Sequence, residues 1–365
     1  MKLAILGTRG IPANYGGFET FAEELSTRLA ARGHDVTVYG RSNNISYPHP
    51  TYKGVKLKIL PTIGTKYLDT VVHTCLSVVH VFLRRRFDCL LMCNAANAVF
   101  ALLPRMKATP VALNVDGIER LRKKWGPAGR AYYRLSEYLA TVIPNVVVTD
   151  ANVIRDYYLK EYGKPSVMIA YGASCERTET TATLERFGVR SRGYFLYVSR
   201  LEPENNAHVV IKAFEKVKTD KPLLIVGDAP YAQDYIQQLK STTDPRIFFT
   251  GAIYGAGYRE LQSHAYAYIQ ATEVGGTHPA LIESMGAGNC IIAKATPENR
   301  EVLGDCGLFF QDDATLAGQL ETVIADAALV ETLRAKAHAR AKAHYSWDAV
   351  TDAYEKLFRD LAVSG

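Results

Sequence analysis

Apolar residues along this chain fall into short aliphatic runs separated by longer amphipathic stretches. In the first half the runs are Leu3–Leu6, Asp35–Tyr39, Val55–Leu60, Cys89–Cys93, Pro110–Asn114 and Asn145–Thr149. Between them, apolar positions recur at helical spacing over Phe18–Arg32, Leu68–Arg84, Ala128–Thr141 and Val153–Glu161. Continuous apolar strands alternating with amphipathic helices predict a parallel sheet covered on both faces. The rhythm then restarts. Tyr194–Ser199, Leu223–Val226, Ile247–Thr250, Ala265–Gln270, Cys290–Ala293 and Gly307–Phe310 read as strands, and Ala207–Val217, Tyr231–Lys240, Pro279–Ala287 and Asp313–Ala341 contain helices. Ser174–Arg192, polar and rich in Thr, Glu and Arg, reads as the linker between the two sets. The expectation is an α/β chain of two Rossmann-like, doubly wound parallel-sheet domains facing a cleft. They span residues 1–173 and 174–345, and a last helix near Trp347–Leu361, within 346–365, packs back on the first domain. In open sheets of this kind ligands bind beyond the carboxyl ends of the strands, so chemistry belongs in the loops there.

Composition narrows the picture modestly. With 365 residues, 48% hydrophobic and 22% charged, the chain is natural for two globular domains. A net charge of +6 suits an anionic substrate or lipid headgroups, or simply a slightly basic protein. The six cysteines form no Cys-x-x-Cys pair, and Cys89 and Cys93 lie in an apolar run. That favours buried thiols in a reducing cytosol over disulfides or zinc. The apolar start at Met1–Gly7 is too short for a signal peptide. Thr70–Leu83 holds two histidines, ends in Arg84-Arg85-Arg86, and is shorter than the roughly 20 residues of a spanning helix. A cytoplasmic protein without a transmembrane segment is expected, with no nucleic-acid partner.

Four loops carry candidate chemistry. Gly7–Glu19 follows the first strand and precedes a helix, but it is not Gly-x-Gly-x-x-Gly and no acidic residue closes the second strand. A dinucleotide oxidoreductase is therefore disfavoured. Gly16 and Gly17 let backbone approach a ligand at the helix start, and Arg9, Tyr15 and Glu19 are candidate contacts; the alternative is a plain surface loop. Thr272–Gly288 sets Gly275 and Gly276 before a helix that opens on Pro279, with Thr277 or His278 as its cap. Backbone amides at a helix start form a ready site for a diphosphate. Glu283, one turn into that helix and leaning toward its start, can accept hydrogen bonds from sugar hydroxyls; an exposed helical Glu is the alternative. Ser199–Asn206 offers Arg200 as a bidentate diphosphate ligand, or a partner of Glu202 or Glu204, with Asn206 as a helix cap. Asn114–Glu119 places Asp116 at a strand end, where it can contact or deprotonate a hydroxyl. Arg120, Arg122, Lys123, Lys124, Arg130 and Arg134 follow, interleaved with Trp125, Tyr132 and Tyr133. That segment suits a phosphorylated lipid or anionic membrane surface, or is a solvated helix face.

Taken together these motifs resemble the GT-B glycosyltransferases of family 4 over nearly the whole chain. That family carries a Glu-x7-Glu element opening a helix of the C-terminal domain and an Arg-Leu-x-x-x-Lys segment after its first strand. Arg9–Phe21, Asn114–Gly117, Glu202–Asn206, Gly251–Tyr254 and Gly275–Pro279 are similar to the bacterial rhamnosyltransferase subgroup. The resemblance implies a retaining transfer of L-rhamnose from dTDP-L-rhamnose to a lipid-diphosphate-linked sugar in glycan assembly. It implies no protein nucleophile, no metal and no cofactor, with peripheral contact to the inner face of the membrane. Asp116, Arg200 and Glu283 would carry catalysis. Gly16, Gly17, Arg200, Asn205, Tyr254, Gly275, Gly276, Thr277, His278 and Glu283 would hold the donor. Arg9, Tyr15, Glu19, Asp116, Lys123 and Lys124 would hold the acceptor. The first family glutamate falls on Gly275 and the lysine on Asn205, so two charged positions are missing. A UDP- or GDP-sugar donor, a nucleotide-sugar epimerase and a non-catalytic nucleotide-sugar-binding protein stand as the competing readings.

Overall fold

The computed structural model describes every residue except Tyr15, Lys66, Tyr67, Arg85, Arg86, Lys124, Pro230, Tyr231 and Gly365. The chain divides into two compact units, Met1–Tyr171 with Trp347–Gly365, and Gly172–Ser346.

Unit 1 is built on β1 (Lys2–Leu6), β2 (Asp35–Arg41), β3 (Thr51–Tyr52), β4 (Val55–Leu60), β5 (Cys89–Cys93), β6 (Val111–Asn114), β7 (Val146–Thr149) and β8 (Val167–Met168). Their order in the sheet is β3-β4-β2-β1-β5-β6-β7-β8. The short β3 at the edge is antiparallel to β4, and β2 and β5 both pair parallel to β1. The connecting helices are α1 (Gly17–Ala31), α2 (Leu68–Arg84), α3 (Leu102–Arg105), α4 (Pro127–Val142) and α5 (Asn152–Tyr162). All of β5 and β6 is buried, as their unbroken apolar sequences demand. The expected strands are present; β3, β8 and a 3₁₀ turn over Ala95–Ala101 were not anticipated. Two-residue strands carry no period to detect. The turn is legible only through its cap, where the Asn94 side chain accepts from the Ala96 amide at 2.9 Å.

Unit 2 contains β9 (Phe195–Val198), β10 (Leu223–Val226), β11 (Ile247–Gly251), β12 (Ala267–Gln270), β13 (Cys290–Lys294) and β14 (Leu308–Phe310). Their order is β11-β10-β9-β12-β13-β14, the doubly wound order whose direction reverses between β9 and β12. Its helices are α6 (Ala182–Arg186), α7 (Ala207–Phe214), α8 (Gln233–Leu239), α9 (Gly255–His264), α10 (Pro279–Gly286), α11 (Pro297–Leu303), α12 (Asp313–Ala325) and α13 (Ala327–His344). Phe195, Phe214, Ile225, Ile269, Ile292 and Leu320 anchor a core that joins the sheet to its helices.

The last helix, α14 (Trp347–Ser364), packs on α1 of unit 1. Tyr354 is fully buried there between Phe21 and Phe358. Glu355 accepts from Arg32 and pairs with His34 at 2.8 and 3.1 Å.

The linker expectation is corrected. Ser174–Arg192 belongs to unit 2, carries α6, and is sewn down by the Glu260 carboxylate, which accepts from the amides of Thr183 and Leu184. The Thr180 hydroxyl donates to the same carboxylate at 3.0 Å and Arg177 to Ala287 O at 2.6 Å, so polar side chains here bond to protein and composition misled. The Asn206 cap is corrected too. Asn206 precedes α7 with a left-handed φ of 57°, and its side chain donates to Ala271 O at 2.9 Å instead of capping the helix.

Candidate functional site

In unit 2 the reversal between β9 and β12 opens space above their carboxyl ends, and the loops that follow these two strands carry most of the candidates. Arg200 ends the β9 loop, half-buried, with Nη2 3.5 Å from the Glu202 carboxylate. Asn205 is 3% exposed and donates to Arg200 O at 2.6 Å, while Tyr197 OH donates to Asn205 O at 2.6 Å. Asn205 thus braces the arginine loop from below. The neighbouring β10 loop is fitted against it so closely that a Cβ on Gly227 would lie 1.8 Å from Ser199 O, at a φ of 146°. Only glycine fits there.

The β12 loop runs through Gly275, Gly276, Thr277 and His278 into α10, where Pro279 takes the first turn and His278 stands at the N-cap position without a side-chain cap bond. The His278 ring lies over Gly275, since a Cβ there would be 2.5 Å from the imidazole. Histidine therefore fills the space a side chain at Gly275 would take. Glu273 pairs with Lys294 at 3.1 Å. Glu283, a turn into α10, accepts a hydrogen bond of 2.6 Å from Tyr258 OH, and Gln262 donates to the same hydroxyl at 2.9 Å. Burial, then the Glu283 charge, pushes the Tyr258 phenol well above its usual range, so it stays a donor. Tyr258 on α9 holds the Glu283 carboxylate, a contact that sequence reasoning missed. Tyr254, just before α9, is exposed.

Unit 1 carries its candidates at the carboxyl ends of β1 and β6. In the β1 loop the Arg9 amide donates to Glu19 at 2.9 Å and the Ala13 amide to Glu23 at 2.7 Å. Glu19 is buried and serves the loop itself. Gly16 is the N-cap of α1 and Gly17 its first residue. The Asp69 carboxylate receives Arg41 at 2.5 Å and lies 3.7 Å from Arg9, so Arg9 enters a network with Arg41 and Asp69 that no motif signalled.

Asp116 follows β6 in the left-handed region at φ 54°, a conformation Asp tolerates better than most residues. The Asn114 side chain fixes it twice over. Its oxygen accepts from the Asp116 amide at 3.0 Å, and its nitrogen donates to Tyr354 OH of α14 at 2.9 Å. The Asp116 carboxyl meets Asp150, at the end of β7, and Tyr171; burial raises its pKa, against the opposing pull of Arg122. Asp150 and Tyr171 were not anticipated, because neither sits in a motif and only the sheet order brings them to Asp116.

The basic segment is redistributed. Arg120 pairs with the buried Glu137 at 3.2 Å, Arg122 with Glu119 at 2.6 Å and Arg134 with Glu161 at 3.4 Å. Lys123 and Arg130 are exposed. α4 also exposes Leu135, Tyr138 and Val142, spaced as one helical stripe. The candidates Tyr15 and Lys124 lie outside the described residues, as do Arg85 and Arg86. Among the described residues no helix is long and apolar enough to cross a membrane.

Residues 1–174 match a family described as a domain of unknown function, DUF1972, and residues 192–326 match one described as glycosyl transferases group 1. The O-antigen chain mannosyltransferase B of Escherichia coli is 23% identical over 181 residues, 47% of this chain and 47% of that protein. The lipopolysaccharide core biosynthesis glycosyltransferase LpsD of Rhizobium meliloti (strain 1021) is 30% identical over 169 residues, 41% of this chain and 44% of that protein. These alignments span about half the length of each curated relative. Among solved structures, Anabaena Alr3699/HepE in complex with UDP and glucose superposes with a TM-score of 0.81 at 17% identity, over 99% of this chain and 100% of that one. Sucrose-phosphate synthase from Thermosynechococcus elongatus gives 0.83 at 16% identity over the whole of both chains. The fold is GT-B: two Rossmann-like α/β domains on parallel sheets.

Proposed function

We propose that this chain is a retaining glycosyltransferase that moves L-rhamnose from dTDP-L-rhamnose to a lipid-diphosphate-linked sugar during glycan assembly. The observation that carries the reading is the set of groups at the switch point of unit 2. Arg200 and the Gly275–His278 backbone lie on the two loops flanking it, and Glu283, held by Tyr258, stands in α10, which the second loop opens. Two curated relatives named as glycosyltransferases support the activity, and the rhamnosyl motifs in the sequence support the donor. Arg200 and the amides before α10 take the donor diphosphate, and Glu283 takes a ribose hydroxyl. The acceptor hydroxyl attacks on the face the diphosphate leaves, the C–O bond to the diphosphate breaks, and the departing phosphate oxygen takes the hydroxyl proton. The protein contributes positioning and stabilisation of the leaving charge, without a metal.

Unit 1 holds the acceptor through the Asp116 loop, with Arg9 at the β1 loop. The exposed stripe of α4, with Lys123 and Arg130 nearby, rests on an anionic membrane surface. A panel of dTDP-L-rhamnose, UDP-sugars and GDP-sugars tests the reading. Turnover of dTDP-L-rhamnose in the presence of EDTA is expected. Turnover of only another donor overturns the rhamnose assignment, and tight binding without turnover across acceptors overturns the enzyme.

A further inference from the structure

A cavity of about 490 Å³ opens at the other end of the unit 2 sheet, beside the amino ends of the strands. Arg192 precedes β9, Gly288 precedes β13, and Arg334 on α13 donates to Tyr266 O and Ala265 O just before β12. Arg177 completes a set of three guanidinium groups on the cavity wall, with His338 and Cys175 beside them.

Each arginine is held by backbone carbonyls, and Arg334 also pairs with the Glu331 carboxylate. Arg177 donates to Ala287 O at 2.6 Å and Gly288 O at 3.0 Å. Its seat needs Gly288, where a Cβ would lie 2.5 Å from Nη2. Arg192 donates to Ala265 O at 3.0 Å from a left-handed backbone of φ 58°, an unfavourable conformation for arginine. Arg334 is 5% exposed, and its Nε is buried without a hydrogen-bond partner. His338 bonds Gly286 O through Nδ1 at 2.7 Å. Among the described residues the carboxylate on the wall is Glu331, which pairs with Arg334 but is 70% exposed. Three cations against one acid leave an excess of positive charge. Burial, then the Arg334 and Arg177 charges, brings Arg192 down to about 10 against the opposing pull of Glu331. Like charges fixed at a cavity wall, one on a strained backbone, are what an anion site requires and a structural site does not.

We propose that this cavity is a second anion site, distinct from the loops at the switch point, that binds a phosphate or diphosphate group. Guanidinium N–H groups not taken by the carbonyls can donate to phosphate oxygens, and the volume admits a diphosphate with part of the group it is attached to. The site does not depend on the glycosyl-transfer reading.

Cys175 gives a site-resolved test, because it lines the cavity while the exposed Cys75 lies in unit 1. The full chain is alkylated with iodoacetamide, with and without inorganic pyrophosphate, and labelling is mapped by peptide mass spectrometry. At about ten times the dissociation constant, Cys175 labelling is expected to fall about tenfold, with Cys75 unchanged. Arg192→Asn, which keeps the left-handed backbone accessible, should lose most of the protection, and Arg200→Ala should keep it. Lys342→Glu, whose native charge acts on Cys175 from an exposed position, should weaken protection without disturbing any backbone contact. A parallel arm uses phosphatidylglycerol vesicles; protection by vesicles and not by pyrophosphate assigns the phosphate to a lipid. Unchanged Cys175 labelling in both arms overturns the proposal. So does protection lost in Arg200→Ala and kept in Arg192→Asn, which would place pyrophosphate in the donor loops alone.

Discussion

Glu283 is held by a donor from another helix, and that sets what its loss and the loss of its brace should do. Hydrogen bonds to charged groups contribute about 1.5–3 kcal/mol, so Tyr258→Phe should weaken donor use by about tenfold or more, read as kcat/KM for the nucleotide sugar. An unchanged value would remove Tyr258 from the site. Gly227→Ala should destabilise unit 2 by more than about 3 kcal/mol in chemical denaturation, since the new Cβ meets Ser199 O and the backbone is left-handed. At this scale the sequence was partly legible. Arg200, Glu283 and the Gly275–His278 stretch stand out because their types cluster after predicted strands. Tyr258, Asp150, Tyr171 and Arg41 do not, because each acts through a neighbour distant in the chain. Gly275 is explained only by the structure, where the His278 ring takes the room of a side chain.

At the scale of elements, β-branched and aliphatic runs made most strands readable, and the helices that were expected end within a few residues of their predicted bounds, but α3, α6, α9 and α11 were not anticipated and Asp313–Ala341 divides into α12 and α13. The failure at Ser174–Arg192 has a physical cause. Its polar side chains bond to Glu260 and to the end of α10, and local composition cannot distinguish a polar residue bonded to protein from one bonded to water. α14 is the element most exposed to a direct test. Ending the chain at Ser346 removes Tyr354 from Phe21 and leaves Asn114 without that partner, so thermal unfolding of unit 1 should fall by several degrees or lose cooperativity. An unchanged transition would mean that α14 contributes nothing to unit 1. α2 carries a pH signature. His73 is buried, bonds to Gly40 O, and is brought down to about 4, first by burial and then by the Arg41 charge. Its unfolded value is near 6.5, so between about 6.5 and 4 the unfolded chain binds more protons and stability falls as pH falls. That slope should flatten in His73→Gln, measured as the midpoint of urea unfolding from pH 7 to 4.

At the scale of the molecule, the repeated strand–helix rhythm was enough to expect two doubly wound units, and the sheet orders show where each keeps its loops. The second anion site was not legible, because Arg177, Arg192 and Arg334 come from three separate segments and share no motif. The membrane reading belongs to this scale too. Leu135→Ser with Tyr138→Ser should reduce sedimentation with phosphatidylglycerol vesicles about tenfold while donor binding stays unchanged; equal loss of both would count against a separate membrane face. The most direct measurement of the central claim is transfer of radiolabelled rhamnose from dTDP-L-rhamnose to a lipid-diphosphate-linked acceptor, by the natural chain and by Arg200→Ala and Glu283→Ala variants with native circular dichroism. The account predicts labelled lipid from the natural chain and a loss of at least about a hundredfold in each variant. Labelled lipid formed equally by all three, or by none under any nucleotide-sugar donor, would contradict it.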